Sequence, residues 1–153
     1  MLIAILCISL FAGKLIRMSG NAMSPNIRKD DVLYFRKVRI YEQGDIIAFA
    51  YEGKTVIRRL IAVGGDWVDF DDAGNVYVND TVLNEPYLNQ KDPGDYDIHL
   101  PFQVPEGSVF VLADARDIGI DSRMEAFGCV SASEIKGKVV FRLFPWRKMG
   151  KVR

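Results

Sequence analysis

The stretch Val56 to Phe70, VIRRLIAVGGDWVDF, restricts what this chain can become more than any other part of it. Val56, Ile57, Leu60, Ile61 and Val63 are strand formers, Gly64-Gly65 permits the positive φ of a tight corner, and Trp67, Val68 and Phe70 resume an extended run. Two consecutive arginines, Arg58 and Arg59, interrupt the apolar series. A strand covered by other strands tolerates such cations only where each finds an anion or enough hydrogen-bond acceptors, because an uncompensated buried charge is strongly unfavourable. The stretch therefore demands acidic partners from elsewhere in the chain.

The pattern on either side of it is all β. Asp31 to Val38, Gly44 to Tyr51 and Ser108 to Ala113 read as strands, and Glu52-Gly53-Lys54 reads as a hairpin turn. Asn75 to Val78 and Thr81 to Leu83 flank Asn79-Asp80, a second hairpin signal; Asn79-Asp80-Thr81 also spells a glycosylation sequon, and the turn is the preferred reading. Ser19 to Ile27 is expected as a strand that breaks at Pro25. Glu85 to Pro105, rich in Asp, Pro, Gly and Asn, is expected as a long excursion between sheets. Ser131 to Glu134 is a capping-box pattern for one short helix ending by Gly137, and Lys138 to Phe144 is a last strand.

Residues 1–13, MLIAILCISLFAG, are apolar and uncharged, yet a spanning helix needs roughly 20 such residues. No basic segment precedes them and no clear small-residue cleavage site follows. Residues 1–16 are therefore expected to be the end of a membrane anchor, leaving 17–153 as one β domain. Lys14, Arg17, Arg28 and Lys29 all follow the apolar run, which by charge bias alone would place the domain in the cytoplasm.

Twenty basic and twenty acidic side chains leave no net charge, which argues against a nucleic-acid binder. Between Asp66 and Asp97 nine acids face the single Lys91, whereas Arg147, Lys148, Lys151 and Arg153 form a basic tail beside Phe144-Pro145-Trp146 that suits anionic lipid headgroups. Cys7 and Cys129 suggest no disulfide framework, and Cys129 lacks a partner base, since the only histidine, His99, sits in the acidic excursion. No spacing of His, Cys, Asp and Glu suggests a metal or other cofactor. Ser133-Glu-Ile-Lys136 spells the Ser-x-x-Lys of penicillin-binding enzymes, but their other motifs are absent.

Three segments in order carry a resemblance. Gly20-Asn-Ala-Met-Ser-Pro-Asn26 resembles the motif Gly-x-Ser-Met-x-Pro-Thr of type I signal peptidases, with Ala22 in the place of the serine. Arg58 to Asp66 resembles the segment that begins at that family's general-base lysine, with Arg58 in the place of the lysine. Asp114 to Arg123 resembles Gly-Asp-Asn-Arg-x-x-Ser-x-Asp-Ser-Arg, with Ala113 for Gly, Ala115 for Asn and Gly119 for the serine that helps hold the lysine. The absence of a serine two positions before Ala22 and of a paired-cysteine insertion resembles the Gram-positive branch. The resemblance covers Gly20 to Trp146. It implies antiparallel sheets with a small barrel-like core, an N-terminal transmembrane helix, and a domain on the outer face of a bacterial membrane. It also implies a substrate groove lined by Met18, Gly20, Asn21, Met23 and Ile57.

A Ser-Lys dyad works because a desolvated lysine is neutral enough to take the serine proton. Alanine offers no nucleophile, and a guanidinium stays protonated and has no lone pair to accept a proton. Ser24, two residues beyond Ala22, is the best substitute nucleophile, but it lies roughly 7 Å along an extended chain and has no evident base. Asp114 and Asp121 are expected to be the acids that Arg59, Arg116 and Arg123 require, with Ser122 in the same structural network rather than in catalysis.

Three functions follow from these expectations. The leading one is a signal-peptidase-like membrane protein without hydrolytic activity, which assists assembly of a secreted precursor or, by resemblance, a pilin. The second is a true signal peptidase I carrying engineered inactivating substitutions, and the third is a structural membrane protein.

Overall fold

The computed structural model describes residues 13–152; residues 1–12, which hold most of the expected anchor, lie outside them. No helix among the described residues is long and apolar enough to cross a membrane. The chain builds β1 (Lys14–Arg17), β2 (Val32–Arg36), β3 (Ile46–Tyr51), β4 (Lys54–Val63), β5 (Trp67–Phe70), β6 (Val76–Val78), β7 (Thr81–Val82), β8 (Phe102–Gln103), β9 (Ser108–Leu112), β10 (Val130–Ser131), β11 (Ile135–Phe144) and β12 (Gly150–Lys151). The larger sheet runs β1-β2-β11-β3-β4-β9-β10, with β12 attached to β11, and the smaller runs β7-β6-β5-β8. Every pairing is antiparallel, so the expected mainly β, antiparallel class is the one observed.

Unbroken apolar runs arise because the central strands are covered on both faces. In β3, Ile46 and Ala48 join one cluster with Leu33, Phe35 and Ile57, while Ile47 and Phe49 join a second with Leu60 and Val111. Successive strand residues face opposite sides, so such a strand has no solvent-facing position for a polar residue. A register shift between Leu60 and Ala62 lets the adjacent Ile61 and Ala62 both reach a third cluster, with Val68, Phe110 and Leu112, which joins the two sheets. Both hairpins turn as the sequence requires. Glu52 and Gly53 have φ of 46° and 74°, and Asn79 and Asp80 have 50° and 61°, the paired positive values that match the strand twist. Asn79 Oδ1 accepts the Trp67 amide and Nδ2 donates to Asp66, so the sequon side chain is committed to its turn.

Several local expectations are corrected. Residues 14–16, counted from sequence with the anchor, belong to β1, which pairs from Lys14 against Phe35 to Arg17 against Val32. Ser19 to Ile27 is a series of turns and not a strand: the Ser24 amide bonds the Asn21 carbonyl and the Ile27 amide bonds that of Met23, using groups a strand would offer a neighbour. Ser131 does cap, accepting from the Ser133 amide, but only the 3-10 turn Ala132–Glu134 follows, because Ile135 is already paired with Phe49 in β11. The excursion after Glu85 contains β8, which pairs with β5. Like β10 and β12, β8 has two residues and no alternation to read.

In place of a closed barrel, the pairing path of the larger sheet is open. β1 lies at one end of it, paired only with β2, and residues 54–58 of β4 pair only with β3, since β9 joins β4 from Arg59 onward. These two free edges frame the site.

Candidate functional site

Residues 16–20 and Ala22 form one wall of a cavity of about 170 Å³, and residues 55–58 form the other. The first wall is the end of β1 and the turn after it; the second is the free half of β4. Ala22 and Arg58, distant in sequence, thus meet in one groove, with Met18, Gly20 and Ile57 beside them. The loop from Ala115 to Ile120 ties the two walls together: the Ala115 amide donates to the Ala22 carbonyl, and Ile120 holds Arg58. Two other expected groove residues are elsewhere. Met23 is fully buried in the cluster with Ile27 and Leu33, and Asn21 lines a neighbouring cavity while its Oδ1 accepts the Lys29 amide. Both belong to the turns over 19–27, in which the Ser24 amide bonds the Asn21 carbonyl and the Ile27 amide bonds that of Met23.

Arg58 is 9% exposed, and it is held by backbone alone. Its Nε and Nη2 donate to the Ile120 carbonyl at 2.9 and 2.7 Å, and Nη1 donates to the Ile57 carbonyl at 2.7 Å. Burial lowers its pKa from the ordinary arginine value; Asp121 and Asp114 act against that shift, and Arg123 adds to it. The guanidinium still has no acceptor lone pair, so it cannot take a proton from a nucleophile. Ala22, on the wall opposite, offers only a methyl, so these two positions supply neither a nucleophile nor a base; the hydroxyl-bearing residues lining the groove are Ser19 and Thr55.

The adjacent Arg59 points the other way, as the alternation of a strand requires. Its Nε and Nη2 grip Asp114 at 2.8 and 2.7 Å in a two-pronged pair, Nη1 donates to the Gly44 carbonyl, and its guanidinium carbon lies 3.7 Å from the Tyr87 ring centre. Arg123 makes the same two-pronged contact with Asp121, whose Oδ2 also accepts the Ala113 amide. Ser122 Oγ accepts the Val111 amide and pins this loop to β9. Arg116 was expected to share these aspartates and does not; it pairs with Glu85, which also accepts the Tyr87 hydroxyl. Burial and the Glu85 charge push the Tyr87 pKa well up. Glu85, Tyr87 and Asn26, which bridges the Tyr87 carbonyl and Asp114 at 2.8 and 2.9 Å, were not singled out as partners from sequence. The one signal was the demand itself: three arginines, Arg59, Arg116 and Arg123, and only two aspartates, Asp114 and Asp121, to meet them.

Ser24 lines the second cavity, of about 510 Å³, with Arg28, Asn89, Asp92 and Asp117. No lysine or histidine is among the described residues lining it. His99 is exposed and Cys129 half-buried, its thiol pushed up to about 11 by burial. Gly119 packs directly on Ala113.

Comparison with known proteins supplies a family for this chain. The family described as "Signal peptidase, peptidase S26" matches residues 1–146. Signal peptidase I of Bacillus licheniformis is 31% identical over 147 residues, covering 88% of this chain and 78% of that protein. Signal peptidase IB of Staphylococcus aureus strain N315 is 32% identical over 150 residues, covering 84% and 76%. The crystal structure of a signal peptidase I from Enterococcus faecalis V583 superposes with a TM-score of 0.57 at 30% identity, over 67% of this chain and 98% of that one.

Proposed function

The chain belongs to the signal peptidase family, peptidase S26, and on that premise we propose that it binds secreted precursor peptides in its groove without cutting them. It acts as a non-hydrolytic assembly or chaperone factor for secreted surface proteins such as pilins. It works at the outer face of a bacterial membrane, held by a single N-terminal span, with its basic tail against lipid. The observation that carries this reading is the groove between the free edges of β1 and β4, whose walls hold Ala22 and Arg58, the residues that the resemblance aligns with serine and lysine. A free edge binds an extended peptide by offering it a backbone ladder, and the side chains beside it select small residues. Nothing in that mode of binding needs a dyad.

Signal-peptidase activity disabled by design would require only the two dyad substitutions. The further pair Ala113 and Gly119, which fit each other in size, supports long divergence instead.

The test is incubation of the purified protein with an Ala-x-Ala signal-peptide substrate between pH 6 and 10, alongside titration of the same peptide against wild type and Ile57→Glu. We expect no cleavage, since loss of the nucleophile alone removes on the order of 10⁶ in rate, and binding that Ile57→Glu abolishes. Turnover that scales with protein after removal of host peptidase would point to a missed nucleophile, with Ser24→Ala the next variant. Equal affinity of both proteins, or none at millimolar peptide, would favour the structural-protein reading.

A further inference from the structure

The buried charges of the described residues pair one to one, with a single exception. Asp114 is gripped by Arg59, Asp121 by Arg123, Glu85 by Arg116, and Asp31 by Arg142. Arg58 has no carboxylate of its own among the described residues, although it is as deeply set as a core side chain. Both nearby aspartates are spent on their own arginines through both oxygens. Three of its five N–H groups are taken by carbonyls, which leaves one donor on each terminal nitrogen. A surplus cation in a groove wall, with donors left over, complements an anion brought by a ligand.

The strand pairing says where that anion would come from. A peptide laid along the free edge of β4 can pair with it only as far as Arg58, because β9 occupies the same edge from Arg59, opposite Leu112. Ala22 adds only a methyl to the facing wall, alongside Ile16, Met18 and Ser19, and the cavity between that wall and Arg58 has room for a small terminal group. We infer that the groove is a receptor for peptide C-termini: a chain ending in small residues lies along β1 and β4, and its terminal carboxylate meets the Arg58 guanidinium. The inference rests on the peptide-groove reading above and adds the chemistry of its ligand. An already cleaved signal peptide has such an end; an intact precursor does not.

Calorimetric titration of the full chain separates the possibilities with three apolar peptides. One ends in Ala-Gln-Ala with a free carboxylate, one ends in the same residues as a carboxamide, and one is that carboxamide lengthened by an aspartate. The free acid should bind about tenfold more tightly than the carboxamide, the scale of one charge-assisted pair. Arg58→Gln should erase that ratio while carboxamide binding persists. Should Arg58→Gln fail to fold, the ratio on the wild-type protein decides by itself. Equal binding of acid and carboxamide would overturn the inference and leave the groove reading standing. Tighter binding of the aspartate peptide than of the free acid would overturn it in favour of an internal acidic side chain. Failure of every peptide to bind would remove the groove reading, and this inference with it.

Discussion

A Cβ built on Gly119 would lie 2.0 Å from the Cβ of Ala113 and 2.9 Å from the Ala115 carbonyl oxygen. Carbon atoms in contact sit about 3.5–4.0 Å apart, so one position must be glycine while the other carries a methyl on this backbone. In the family resemblance the sizes are reversed, with glycine at the first position and serine at the second.

Gly119→Ser alone should therefore destabilise the domain by about 1–3 kcal/mol, the usual range for overpacking a filled site. Adding Ala113→Gly should recover part of that loss, giving a favourable coupling of at least about 0.5 kcal/mol between contacting sites. Urea denaturation of the four proteins of the cycle measures it, and strict additivity would mean that the backbone of the loop moves aside instead.

Ala22→Ser with Arg58→Lys should restore only weak hydrolysis of a signal-peptide substrate. A lysine there needs a closed apolar shell and a supporting hydroxyl to become a base, and Gly119 supplies no hydroxyl. Adding Ala113→Gly and Gly119→Ser together should raise the rate further, whereas Gly119→Ser without Ala113→Gly should not. A double variant as fast as an ordinary signal peptidase would contradict this account of the pocket.

Asp114→Asn should destabilise the fold by about 3–5 kcal/mol, because it strands a buried Arg59 that Asp114 holds with both oxygens. The double replacement Arg59→Met with Asp114→Leu should be milder than Asp114→Asn alone, since no unpaired charge is left behind. Thermal melts of the three variants give the comparison; a double replacement worse than the single would show that the Tyr87 contact and the Gly44 bond outweigh the charge pairing.

Burial pushes the Cys129 thiol from an ordinary value of 9.0 to about 11. Its protonated form is favoured in the fold, so this contribution to stability is fully present below the ordinary value. As pH rises from there towards about 11, the unfolded chain loses its proton first and the contribution falls away. In a Cys7→Ser background, alkylation of Cys129 should still be accelerating above pH 10. A rate profile that levels off near 9 would show the thiol to be in ordinary contact with water.

Strand and turn placement was legible because its determinants are local. The apolar, β-forming runs of β3 and β4, the positive-φ pairs at Glu52-Gly53 and Asn79-Asp80, and the Gly64-Gly65 corner all lie within a few residues of the structure they specify. The premise of the non-hydrolytic proposal is equally local, being a matter of residue type at positions 22 and 58. The demand of the Arg58-Arg59 pair for partners was legible too, but their identity was not. Arg59 meets Asp114 from 55 residues away, Arg116 meets Glu85 from 31, and Arg58 meets a carbonyl 62 residues off where a carboxylate was expected. Carboxylates of similar spacing are interchangeable in a sequence pattern; only tertiary packing selects one each for Arg59, Arg116 and Arg123 and none for Arg58. The same holds for the groove, which exists because β9 takes over the edge of β4 at Arg59, and for Ala113 and Gly119, whose fit depends on two loop ends packed too closely for a second Cβ. Local propensity sets what each segment can form, and long-range contact sets which charges are left without a mate.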